Sequence, residues 1–177
     1  MSGTGTRAGN PAGNRTGSPA LRVIRGSVGP SLYVIPQEKQ TAIGAFVEPR
    51  IGYCEGFCTG TLISNNVVLT AAHCMVDRDL RSFEFVLGGE TAFPRKRIAA
   101  AAVVINPLWN RTSPAHDNAL VFLRESVPAA LASPIQINTA ALPSGFVGKQ
   151  VQNVGYGVTD PGLNTNVNPR RLWTVQP

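Results

Sequence analysis

Charge is scarce in this chain. Asp, Glu, Lys and Arg make up only 15% of its 177 residues, against about 25% in an average soluble protein. With 43% hydrophobic residues, that scarcity excludes a disordered chain. Long apolar runs are lacking too. The longest, such as Ile98–Ile105, stop far short of the ~20 residues that cross a bilayer as a helix, so no membrane partner is expected. Glycine (18) and proline (14) follow no period, which excludes a collagen-like repeat. Only two histidines are present, His73 and His116, and any imidazole chemistry must use one of them. Three cysteines leave one over after any pairing.

Acids are missing from residues 1–31, where Arg7, Arg15, Arg22 and Arg25 stand alone. Of the net +6, this stretch carries +4; from residue 32 onward 12 bases face 10 acids. A basic tail on a near-neutral body is not a binding stripe, so no nucleic-acid partner is expected. Fourteen of the first 20 residues are Gly, Pro, Ser, Thr or Asn, too polar to offset the entropy of ordering. Residues 1–31 are therefore expected to form a disordered leader. No apolar segment follows Met1, so no export signal is visible.

From about Leu32 the pattern becomes short strands between turn residues. Thr41–Val47, Phe57–Ser64, Val67–Thr70, Phe83–Leu87, Arg97–Ile105, Ala119–Leu123 and Val151–Val154 read as strands, and Ala71–Met75 as a helical turn. Val127–Ser144 is a Pro- and Ala-rich connection. Strands recur without intervening helical periodicity, which argues an all-β barrel or sandwich.

The chemistry gathers around His73. It sits in TLISNNVVLTAAHC, residues 61–74, where two apolar strands around Asn65-Asn66 fold Cys58 and Cys74 back toward each other. Asp117 lies 44 positions after His73, two before the apolar run Ala119–Leu123. A carboxylate at the mouth of a buried strand is costly unless paired. An imidazole N–H would satisfy it and leave the other ring nitrogen free as a general base. His116 is expected to be a loop residue, because adjacent residues in a strand face opposite ways.

The block Cys58–Cys74, ending T-A-A-H-C, resembles the histidine signature of trypsin-like (chymotrypsin-family) serine proteases. His116–Leu123 resembles that family's aspartate signature. Gln150–Gly157 (QVQNVGYG) is similar to its V-x-x-x-G-W-G element, with Tyr156 in place of Trp, and Leu142-Pro143 matches the connection between barrels. The resemblance implies a double antiparallel β-barrel, with residues 32–142 as a complete first barrel and 143–177 as the connection and the start of the second. It implies His73 as general base and then acid, Asp117 as its orienting partner, and a Cys58–Cys74 disulfide. That bridge would be worth about 3 kcal/mol in the chain-entropy view. It further implies protein or peptide substrates, no cofactor, and a secreted or periplasmic location.

The family's Gly-Asp-Ser-Gly-Gly nucleophile motif does not occur in these residues. Ser144, in LPSGFVG, falls in the connection, where the family has no catalytic residue. The expectation is thus a serine endopeptidase fragment, inactive alone, whose partner is the missing C-terminal half of its own domain. The alternative is a non-catalytic homologue that uses the barrel as a binding module. Arg22-Val23-Ile24-Arg25-Gly26 resembles the family's activation site, with Arg25 where Gly is usual. Cys54 is left as a free thiol or a partner for a following segment. A zinc set of Cys54, Cys58, His73 and Cys74 is set aside, because adjacent His73 and Cys74 point poorly at one tetrahedral ion; no metal is expected.

Overall fold

A computed structural model describes residues 36–149, 151–156 and 170–176. The leader expected over 1–31, and the Arg22–Gly26 segment within it, lie outside the described residues. Six antiparallel strands close into a barrel: β1 (Ile43–Arg50), β2 (Tyr53–Ser64), β3 (Val67–Thr70), β4 (Glu84–Leu87), β5 (Lys96–Ile105) and β6 (Ala119–Leu123), in the spatial order β1-β2-β3-β6-β5-β4. Closure gives every barrel strand a neighbour on both sides over part of its length, so the barrel proper has no edge strand. Two short helices flank the strands, α1 (Gln37–Gln40) and α2 (Ala72–Met75). A second sheet holds two described strands, β7 (Val151–Gly155) and β8 (Leu172–Gln176), paired antiparallel from Val151↔Gln176 to Gly155↔Leu172.

Burial alternates along β6 although its sequence is apolar throughout. In β6, Ala119, Val121 and Leu123 are buried while Leu120 and Phe122 are partly exposed, as the period of two requires. The barrel interior is aromatic: Phe46 packs on Phe57, Phe83 and Phe85, with ring centroids 6.1, 5.8 and 5.2 Å away. Glycines make room for these rings. Gly44 and Gly60 face each other in register across β1 and β2. A Cβ on Gly60 would come within 2.6 Å of Val68 Cγ1 and 2.7 Å of Phe46 Cε2, so any larger residue there overpacks the core.

One feature differs from the sequence expectation. β1 and β2 run past the barrel to Arg50 and Tyr53, joined by Ile51-Gly52. Gly52 takes φ +82°, the value the third position of a type II turn needs. The overhang is polar and interrupted by Pro49, which hid it from a reading based on apolar alternation.

Candidate active site

Strand register brings the two halves of the site together. β3 and β6 are neighbours, with Thr70 opposite Ala119. His73 lies three residues past Thr70 on α2, and Asp117 two residues before Ala119, so both reach the same end of the barrel. Thr70 secures the exit of β3 by donating its hydroxyl to Thr59 O at 2.8 Å. At the entry to β6, His116 adopts φ +61°, and Asn118 N–H donates to His116 O at 2.7 Å. That is a three-residue turn around Asp117. His116 itself is exposed, in line with its expected place in a loop.

His73 Nδ1 lies 2.6 Å from Asp117 Oδ2, and His73 backbone N–H donates to Asp117 Oδ1 at 2.9 Å. One carboxylate thus grips both the ring and the backbone of the same residue. The carboxylate can only accept, so Nδ1 carries a proton, and in the neutral ring Nε2 is the nitrogen with the lone pair. Burial alone pushes the Asp117 carboxyl up. The imidazole hydrogen bond, the backbone N–H groups of His73 and Ala72 and the imidazole charge outweigh it, and the net displacement is below the ordinary 3.8. Asp117 therefore stays ionised, and both side chains remain partly open to solvent, at 35% for His73 and 24% for Asp117.

Cys58 on β2 and Cys74 on α2 form a disulfide with their Cα atoms 6.2 Å apart. Cys74 Sγ stands 3.5 Å from His73 Nε2. The two sulfurs and a His73 nitrogen fall within 4.8 Å of one another, so sequence adjacency does not keep His73 and Cys74 from converging. The bridge, however, consumes both sulfurs as thiolate ligands. Cys54 is a separate free thiol on β2. Ser144 is exposed on the short 3₁₀ turn Ser144–Phe146.

Tyr156 ties the second sheet to the barrel. It is buried against Ile43, Ala45, Val47 and Val86 on the outer face of β1 and β4. Its N–H donates to Thr59 Oγ1 at 2.9 Å and its hydroxyl to Gly88 O. Burial pushes the phenol up to about 12, against the opposing pull of Arg171. Nearby, Arg171 N–H donates to Gly89 O at 2.9 Å and Arg170 pairs with Glu90 at 3.0 Å.

The described residues thus form a closed six-stranded barrel with a histidine–aspartate pair at one end, packed on a second sheet through a buried aromatic. The Trypsin family profile matches residues 37–176, and the chain belongs to that family. Achelase-1 of Lonomia achelous is 30% identical over 133 residues, covering 67% of this chain and 59% of the relative. Mast cell protease 2 of Meriones unguiculatus is 32% identical over 127 residues, covering 67% and 46%. Chymotrypsin-like elastase family member 1 of Felis catus is 33% identical over 84 residues, covering 45% and 31%. The aligned stretches thus span about a third to three-fifths of these relatives' lengths. The structure of neuropsin, a serine protease expressed in the limbic system of mouse brain, superposes with a TM-score of 0.62 at 22% identity, over 80% of this chain and 60% of that one. That likeness carries the fold.

Proposed function

We propose that this chain supplies the acid–base half of a serine endopeptidase site. His73 Nε2 takes the proton of a serine hydroxyl as the new C–O bond forms at the scissile carbonyl. The resulting imidazolium, stabilised by Asp117, returns that proton to the leaving amine as the C–N bond breaks. The observation that carries the reading is the double grip of Asp117 on His73, at 2.6 and 2.9 Å. It sets the tautomer and aims the free nitrogen away from the carboxylate.

The 177 residues contain no Gly-Asp-Ser-Gly-Gly stretch, and a base without its nucleophile has nothing to activate. We therefore expect these residues alone not to hydrolyse peptides. The partner the site calls for is a segment bringing the serine and the N–H groups that stabilise the oxyanion, ordinarily the other part of the same domain. The Cys58–Cys74 bridge fits an oxidising compartment, extracellular or periplasmic.

The test is incubation with a serine-directed fluorophosphonate and a peptide-substrate library. Neither labelling nor turnover is expected from the 177 residues. Labelling at one serine, with turnover abolished by His73→Ala, would overturn the reading of an incomplete site. A native product clearly heavier than 18.7 kDa that does label at a serine supports the endopeptidase assignment. A stable, monodisperse 18.7 kDa protein without labelling favours a binding module.

A further inference from the structure

We infer that Arg78 is a positioning residue for His73. The inference rests on the proposed role of His73 and adds to it a residue that neither motif contains. The helix that carries His73 has four residues, far below the ~12–15 at which an isolated helix begins to hold itself. Its place must come from ties to the barrel. One is the Cys74–Cys58 bridge and another is Asp117.

Arg78 makes three further contacts at once. Its Nε donates to Cys74 O at 2.7 Å, satisfying a carbonyl at the C-terminal end of the helix, where a cation is favoured. Its guanidinium carbon lies 3.6 Å from the centroid of Phe57, the residue before Cys58. Its Nη1 pairs with Glu48 Oε1 on β1. The side chain therefore bridges the same two segments as the disulfide, without a covalent bond.

The local backbone is built for this reach. Asp77 adopts φ +60°, a conformation uncommon outside glycine. It turns the chain so that Arg78 folds back over the helix it follows. The contacts also require arginine in particular. A planar guanidinium can stack on a ring while its edge donates to a carbonyl and a carboxylate, whereas an ammonium is a point charge on a flexible stem. With 29% of its side-chain surface open and Glu48 at 21%, the pair is sheltered rather than dangling in solvent. Glu48 and Arg78 are 30 positions apart, so no local sequence pattern announces them.

The test is nitrogen NMR of the His73 ring in the 177-residue chain, with the secondary-structure signal recorded alongside. Wild type should show a single low-field Nδ1–H resonance from the bond to Asp117. Arg78→Ala should broaden it or cut its intensity several-fold while the β signal persists. Arg78→Lys should restore it in part, and Glu48→Gln should weaken it less than Arg78→Ala. Ile98→Ala, in the barrel core, serves as the control for simple loss of stability and should leave the resonance in place.

An unchanged resonance in Arg78→Ala, or equal loss in Ile98→Ala, overturns the positioning role while leaving the histidine–aspartate reading intact. Should Arg78→Ala fail to fold, Arg78→Lys and Glu48→Gln decide the question by the same criterion. Absence of the resonance in wild type overturns the dyad itself, and the inference with it.

Discussion

The closed barrel and the β7–β8 sheet are built from the same kind of strand, yet they stand on different supports. In the barrel each strand has two neighbours, and the interior is filled by Phe46, Leu62, Val68, Phe85, Ile98 and Val121, all nearly inaccessible. Among the described residues the second sheet has two strands, and Val151 in β7 and Val147 ahead of it are exposed. A two-stranded ribbon is at best marginal alone. Tyr156 packs this one against Ile43, Ala45, Val47 and Val86 of the barrel. The proposed acid–base pair sits wholly at the barrel, on α2 and at the entry to β6.

The strongest way to break the contrast is Phe46→Ala. It should cost about 3–5 kcal/mol and unfold the barrel and the His73–Asp117 contact in one transition. Urea denaturation followed by both signals checks this, and separate transitions would show the site to be independent of the core. Next in size is replacement of both Cys58 and Cys74 by serine. A loss of about 3 kcal/mol is expected from the freed chain, with the second sheet remaining docked; the shift in urea midpoint measures it.

Asp117→Asn sharpens the comparison through pH. The Asp117 carboxyl lies below its ordinary 3.8 in the folded state, because the hydrogen bonds and charge of His73 overcome the burial that pushes it up. Its contribution to stability is thus present in full above the unfolded value and lost as pH falls through the lower folded one. Wild type should exceed Asp117→Asn by a constant margin near neutrality, and the margin should close in acid. A margin that widens in acid would reverse the sign of the argument.

The smallest effect is expected at Tyr156→Phe, which removes the hydroxyl bond to Gly88 at a cost of about 1 kcal/mol. Hydrogen exchange should accelerate in β7 and leave β3 and β6 unchanged. The tyrosine contribution also has a pH window. With the phenol pushed up to about 12 by burial, it is complete below the unfolded value of 10 and disappears as pH rises through the folded one. The difference between Tyr156→Phe and wild type should narrow over that range.

Much of the barrel was legible beforehand because its signals are local. Val67–Thr70, after the Asn65-Asn66 turn, and the apolar run Ala119–Leu123 have the bounds the structure gives them. The β1–β2 overhang was not legible, since Glu48, Pro49 and Arg50 carry no apolar stripe and its turn is specified by Gly52 alone. The histidine and aspartate stood out through their flanking residues. The turn at His116 that aims the carboxylate, and the part of Arg78 in seating the helix, left no trace in the pattern.

From the sequence alone came an all-β chain, the residue types able to share a proton, and a resemblance to a family whose nucleophile motif these residues lack. Period-two alternation and short motifs are properties of neighbouring residues, and neighbours suffice to read them. The tertiary structure decided that Thr70 pairs with Ala119, that His73 meets Asp117 across that pairing, and that Tyr156 packs against the outer face of the barrel. Those are choices of register and closure among segments tens of residues apart. They are settled only when the strands pack around one set of phenylalanine rings and every edge of the barrel finds a partner.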